Sequence, residues 1–249
     1  MKKQNPGKKI IRWALAGLTA VLLFIFTFAL GIYFLGWNNF FVQKLCVFIP
    51  YPAAVIDSAQ WLSFRDYSKK ATIISRYHNL QDIISPSDDY NLNSWQGEKY
   101  FQVAKKNILS QMIKDALIQK SASRYNISVT QEDLDKEISK IAANNGGIEK
   151  LTQKLNQVYK INLKYFTSQV VKPRLIQEKL RLYLVDQGEI TVEIESFQDW
   201  INQKAKTTRI FIPLPQYYWD SDQGKVMFRD PAMNQYENTT IEPRETIAS

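Results

Sequence analysis

One cysteine and one histidine stand in 249 residues, Cys46 and His78. A lone thiol closes no internal disulfide. Metal sites built on thiolates or several imidazoles are excluded with it. A Ser–His or Cys–His catalytic pair would have only His78 to draw on. That residue sits in "SRYHNL", on the polar side of a helical pattern, where a surface histidine is the ordinary reading. The only Gly-rich tetrapeptide, "NNGG" at 144–147, has no following Lys-Ser/Thr and is no phosphate loop. Asp88 and Asp89 adjoin in a polar stretch without the spaced oxygens that a Ca²⁺ loop needs. The acids of "EDLDKE", Glu132 to Glu137, open a helix, where the helix dipole favours them without any catalytic role. No catalytic, cofactor-binding or metal-binding residue can be named, and no internal repeat or low-complexity tract is present.

Acidic residues are also missing from the start of the chain: the first is Asp57. Lys2, Lys3, Lys8, Lys9 and Arg12 come before it, and they account for much of the formal charge of +8. Setting those five aside leaves 27 of the 32 Lys and Arg against 24 Asp and Glu. The remainder is nearly neutral, so the basic isoelectric point is no sign of a nucleic-acid partner; no domain-wide basic stripe exists. Hydrophobic residues make up 45%, enough to bury a core.

What is there begins with an uncharged run from Trp13 to Leu35, "WALAGLTAVLLFIFTFALGIYFL". As a helix it extends about 34 Å, enough to cross a hydrocarbon core with slight tilt. Trp13, Tyr33 and Trp37 fall near its ends, as interfacial aromatics do. Residues 13–36 are therefore predicted to be a transmembrane signal-anchor. The five preceding cations place residues 1–12 in the cytoplasm and the bulk of the chain on the extracytoplasmic side. A cleaved signal peptide is the rival reading. It calls for a shorter apolar run and a small-x-small site, which "GWNNFFVQKL" does not offer.

Beyond the run, Ala54 to Ile56 and Trp61 to Leu62 flank "DSAQ" and predict a hairpin leading into a helix from Phe64 to about Leu80. "SPSDDYNLNS", 85–94, reads as a polar loop. A long amphipathic helix follows over 97–125, with Phe101, Ala104, Ile108, Met112, Ala116 and Leu117 on its inner face and Leu109 and Ile113 beside them. Thr130 with Asp133 forms a capping-box signature for a helix lined by Leu134, Ile138 and Ile141. "NNGG" ends it, and a shorter helix carries Ile148, Leu151, Leu155 and Tyr159. Asn162 caps a last long helix, in which Pro173 predicts a kink or break. The seam resumes at Ile176, Leu180, Tyr183 and Leu184, and Gly188 ends it. Glu193 to Lys204 predicts one more helix, holding Phe197 and Trp200. The fold class is thus mainly α: a transmembrane helix followed by a helical bundle with one small β hairpin.

"NILSQMIKDALIQKSASRYNISVTQEDLDKEI", Asn107 to Ile138, resembles the N-terminal domain of the SurA foldase family, which includes the PrsA and parvulin-type relatives. Leu109, Met112, Ile113, Leu117 and Ala122 match the family's first helix, and Ser128, Val129, Asp133, Leu134 and Ile138 match the next helix start. The resemblance covers residues 50–205. It implies an extracytoplasmic chaperone domain, a helical cradle that holds unfolded or exported polypeptides. Many relatives also carry a parvulin-type prolyl isomerase domain, whose first strand "TTRIFIPLP", from Thr207, resembles in position. Here the chain departs from the family. Only 39 residues follow Ile210, short of a domain of about 90, and the family's paired histidines have no counterpart. Residues 206–249 read instead as a short strand, Thr207 to Ile212, that pairs with a hairpin over "WDSDQGKVMF" or caps the bundle, and then a frayed polar tail.

Two readings of one cluster stay open. Tyr217, Tyr218 and Trp219, beside "IPLP", are the candidate peptide-binding residues, or else a plug that closes the bundle. The functional expectation is a membrane-anchored module that binds unfolded or extended polypeptide without catalysis or cofactor, its lipid contact made through 13–36. A degenerate or truncated peptidyl-prolyl isomerase and an adaptor for one membrane partner are the alternatives.

Overall fold

A long apolar run makes the first element. In the computed structural model, α1 runs from Pro6 to Phe34 as one helix. The described residues are 6–34, 51–58, 60–84 and 95–241, with side chains described for 15–33, 51–58, 60–74 and 97–239. Cys46, Trp37, Asp88, Asp89, the loop 85–94 and the side chains of His78 and the basic N-terminal residues lie outside them. Leu15 to Tyr33 is long and apolar enough to cross a membrane or to serve as a signal sequence. Leu15, Leu18, Leu22 and Phe26 are each more than half exposed.

The chain then forms β1 (Pro52–Ile56) and β2 (Gln60–Ser63), an antiparallel hairpin. Asp57 and Ser58 take left-handed backbone, φ 49° and 59°, to make its turn. Helix α2 (Phe64–Ile84) follows at once, its start held by the Ser63 hydroxyl, which accepts from the Arg65 amide at 3.1 Å. Helix α3 (Trp95–Arg124) is the axis of the fold: it packs on α2, on β1 and on the two helices α7 (Lys172–Asp186) and α8 (Ile194–Thr207). Ile108, Leu109, Met112, Ile113, Ala116 and Leu117 are buried along it as their spacing predicts. Its first turns behave differently. Val103 and Lys106 are buried there, while Phe101 and Ala104 are only half-buried.

Local caps set the next boundaries. Thr130 and Asp133 close the capping box that starts α4 (Gln131–Asn144), each side chain taking the other's backbone N–H. The chain leaves α4 through Gly146, φ 79°, a conformation in which other residues carry a steric penalty. Helix α5 (Ile148–Lys154) widens into a π-helical turn, Leu155–Tyr159, which left-handed Lys160 ends. The Asn162 side chain accepts from the Tyr165 amide at 2.8 Å and starts α6 (Leu163–Phe166). A second π turn, Thr167–Val171, leads into α7, with Pro173 in its first turn. The break predicted at Pro173 takes this form. A proline has no N–H to give to the carbonyl four residues back and its ring crowds that carbonyl, and the widened turn relieves both.

The segment 206–236 is packed into the same core as the hairpin. Strand β3 (Ile210–Phe211) pairs antiparallel with β1, not with the later hairpin β4 (Tyr217–Asp220) and β5 (Lys225–Phe228), giving the sheet order β2-β1-β3. Ile212, Leu214, Tyr217, Val226 and Phe228 share one buried cluster with Ala53, Ile56, Phe64 and Ile113. Over 231–241 the expected frayed tail is instead helical, and 242–249 lie outside the described residues. Asp230 caps α9 (Pro231–Tyr236) by accepting from the Ala232 amide at 2.9 Å, and the helix continues as a π turn, Glu237–Ile241. Met233 and Tyr236 pack on the core, which gives this polar-looking stretch a surface to fold against.

Candidate functional site

Between α2, α3 and the two π turns the structure leaves an open cavity of about 380 Å³. Its apolar wall is made by Ile73 and Ile74 of α2, Ile108 and Met112 of α3, and Leu155, Phe166 and Val170 from the π-turn side. Both π turns contribute, Leu155 and Tyr159 from the first and Gln169 and Val170 from the second. Such turns concentrate at functional sites. The polar side chains on the wall are few: Lys70, Gln111 and Gln169, with the phenols of Tyr159 and Tyr165.

Tyr165 is the best-fixed of these. The Lys69 ammonium sits 3.5 Å from its ring centroid, a close cation–π contact. Its hydroxyl is enclosed and has no hydrogen-bond partner among the described residues. Burial, and secondarily the Asp66 carboxylate, push the phenol up to about 12, so it stays a donor at any physiological pH. One turn along α3 from Gln111, Asp115 accepts from the Gln111 amide nitrogen at 2.8 Å. Burial raises the Asp115 carboxyl above its usual range, opposed by that hydrogen bond and by Lys70.

No group of three or more His, Cys, Asp or Glu that could hold a metal ion occurs among the described residues. The arrangement offers apolar surface with a few hydrogen-bonding groups, the usual composition of a binding pocket. Among the described residues of its wall, no nucleophile is paired with a base.

The aromatic cluster of the sequence lies elsewhere. Tyr217 is fully buried, its ring 5.4 Å from that of Phe228, and its hydroxyl reaches the Gln102 carbonyl at 3.5 Å. Burial pushes that phenol up to about 12 as well. Trp219 packs half-buried against the same core, and Tyr218 is half-buried beside it. None of the three lines the cavity. The cavity residues were visible individually as seam positions, Ile108, Met112, Leu155 and Tyr159 among them. The gap between the seams had no signal beyond Pro173.

Comparison with family models, with curated proteins and with solved structures returns no match for this chain.

Proposed function

We propose that the chain is a membrane-anchored, extracytoplasmic module that holds apolar stretches of extended polypeptide in the α2–α3 cavity and performs no chemical step of its own. The observation that carries this reading is the cavity itself: open, walled by aliphatic and aromatic side chains, and edged by amide and ammonium groups able to engage a peptide backbone. Met112 in its floor supports tolerance of varied side chains, since an unbranched thioether adapts its shape. The resemblance to the SurA N-terminal domain points the same way. The excess of N-terminal cations supports the orientation, and the burial of Phe28 and Ile32 in the core supports an anchor that is retained rather than cleaved. Anchoring raises the local concentration of the cavity where exported chains emerge.

The test uses the full chain in lipid nanodiscs and a fluorescent, unstructured peptide rich in Leu and Phe. Binding is read by anisotropy, for the wild type and for Val170→Asp, which places a charge on a side chain that is 47% exposed and so spares the core. Binding that the wild type shows and the variant weakens about tenfold, a loss of about 1.4 kcal/mol, is expected. Equal binding by both, or acceleration of proline isomerisation in a model peptide, overturns the proposal.

A further inference from the structure

Among the described residues, no element covers the outer face of the three-stranded sheet. Ala54, Ile56, Leu62 and Ile210 point into the core. The register sets the opposite face: Val55 lies across from Trp61 on one side and from Phe211 on the other. Trp61 is 57% and Phe211 64% exposed. The three side chains form a row across the sheet, aromatic, aliphatic, aromatic, with Ser58 and Arg209 completing a shallow groove of about 310 Å³.

Cationic residues lie beside the row. Asp57, the carboxylate next to it, is bound by the Lys120 ammonium and takes the Arg209 backbone N–H at 3.2 Å. Arg124 is close enough to help hold that carboxyl below its usual range. Lys120 and the Arg209 backbone thus hold Asp57, with Arg124 nearby.

The position of the row relative to α1 decides what it meets. The Tyr51 hydroxyl donates to the Ile25 carbonyl at 2.9 Å, and the Tyr33 hydroxyl donates to the Pro52 carbonyl at 2.9 Å. Tyr51 also packs on Phe28, with ring centroids 6.0 Å apart. Ile25 lies eight residues, about 12 Å of helix rise, before Tyr33. The start of β1 is therefore clamped alongside the last turns of the apolar span, not suspended beyond it. Val55 follows Pro52 by three residues, about 10 Å of strand.

We propose that the outer face of this sheet is a second lipid-contact surface: Trp61, Val55 and Phe211 lie in the headgroup region of the bilayer that α1 enters, with the neighbouring cations meeting lipid phosphates. Tryptophan and phenylalanine beside arginine are the side chains that favour this layer. The proposal rests on reading α1 as a membrane-spanning helix. The domain is then fixed against the membrane at two places, α1 and the sheet, and cannot swing on a tether.

The experiment uses the full chain with Cys46→Ser and one new cysteine at a time, Trp61→Cys, Phe211→Cys, Leu22→Cys or Glu195→Cys, each carrying a small fluorophore. All four positions are exposed, and folding is checked by circular dichroism. The proteins are placed in vesicles of phosphatidylcholine and phosphatidylglycerol containing lipids spin-labelled on the headgroup or deep in the chain. Quenching of positions 61 and 211 by the headgroup label, quenching of 22 by the deep label, and none at 195 is the expected result. Quenching at 22 with 61 and 211 behaving like 195 overturns the lipid-surface proposal alone and leaves the row as a protein-docking surface. No quenching at 22 overturns the anchor reading and this proposal with it.

Discussion

Lys106 of α3 and Glu237 of the last helical turn form a salt bridge that is buried on both sides, at 5% and 8% residue exposure. The two residues are 131 positions apart, and the Lys106 ammonium also lies 5.7 Å from the Phe228 ring centroid. The pair fastens the C-terminal helix to the central one.

Removing one partner leaves an uncompensated charge in the interior, which costs more than the pair contributes as a pair. Glu237→Ala is expected to lower stability by about 3–5 kcal/mol in urea unfolding. The double variant Lys106→Met, Glu237→Leu is expected to recover most of that loss, because apolar residues of similar volume fill the same space. A double variant as unstable as the single one would show that the charges are not coupled.

Lys179 reaches across from α7 to Asp133 at 2.5 Å, on the same carboxylate that closes the α4 capping box. The Lys179 hydrogen bond first, and then the Thr130 backbone and hydroxyl, lower the Asp133 carboxyl to about 2 from the ordinary 3.8. A depressed carboxyl stabilises the fold above its unfolded value and loses that contribution as pH falls. Stability should therefore be flat in this respect above about pH 5 and decline between about pH 4 and pH 2. Asp133→Asn should flatten that decline, measured as the melting temperature at a series of pH values; an unchanged slope would remove Asp133 from the account.

Tyr217 and Trp61 separate buried from exposed aromatics in one experiment. Tyr217→Ala empties a fully enclosed site and should cost about 3–5 kcal/mol. Trp61→Ala removes a larger side chain from the open face of the sheet and should stay within about 0.5 kcal/mol in detergent. Comparable losses for the two would contradict the burial of Tyr217 in the core.

Ile32 is 2% exposed although it belongs to the apolar span, whereas Leu22 is 57% exposed. Ile32→Ala should destabilise the folded domain by about 2–5 kcal/mol, and Leu22→Ala should leave it unchanged. A fragment starting at Tyr51, which lacks Phe28 and Ile32, should show faster amide hydrogen exchange in β1 than the full chain. Equal exchange would mean that α1 is no part of the core.

Sequence patterns carried far where the physics is local. The ends of α4 and α6 were legible because Thr130, Asp133 and Asn162 satisfy backbone donors within three residues of themselves. The buried stripe from Ile108 to Leu117 was legible because one continuous surface buries it. Reading failed where a distant surface decided. Lys106 is a lysine with no local reason to be buried; Glu237 and Phe228 supply the reason. Ile210 and Phe211 look like a strand, but only the fold shows that β1 is their partner. Residues 231–241 look like a tail, and the core beneath Met233 and Tyr236 makes them helical.

By itself the amino-acid order determined an apolar span that water rejects and a series of amphipathic helices with their caps, because solvent exclusion and short-range hydrogen bonds act within a few residues. Only the tertiary structure decided the cavity, the row of Trp61, Val55 and Phe211 across one sheet face, and the sharing of Phe28 and Ile32 between span and core. Each of these depends on which remote surfaces meet and where they fail to meet, and no local pattern encodes that.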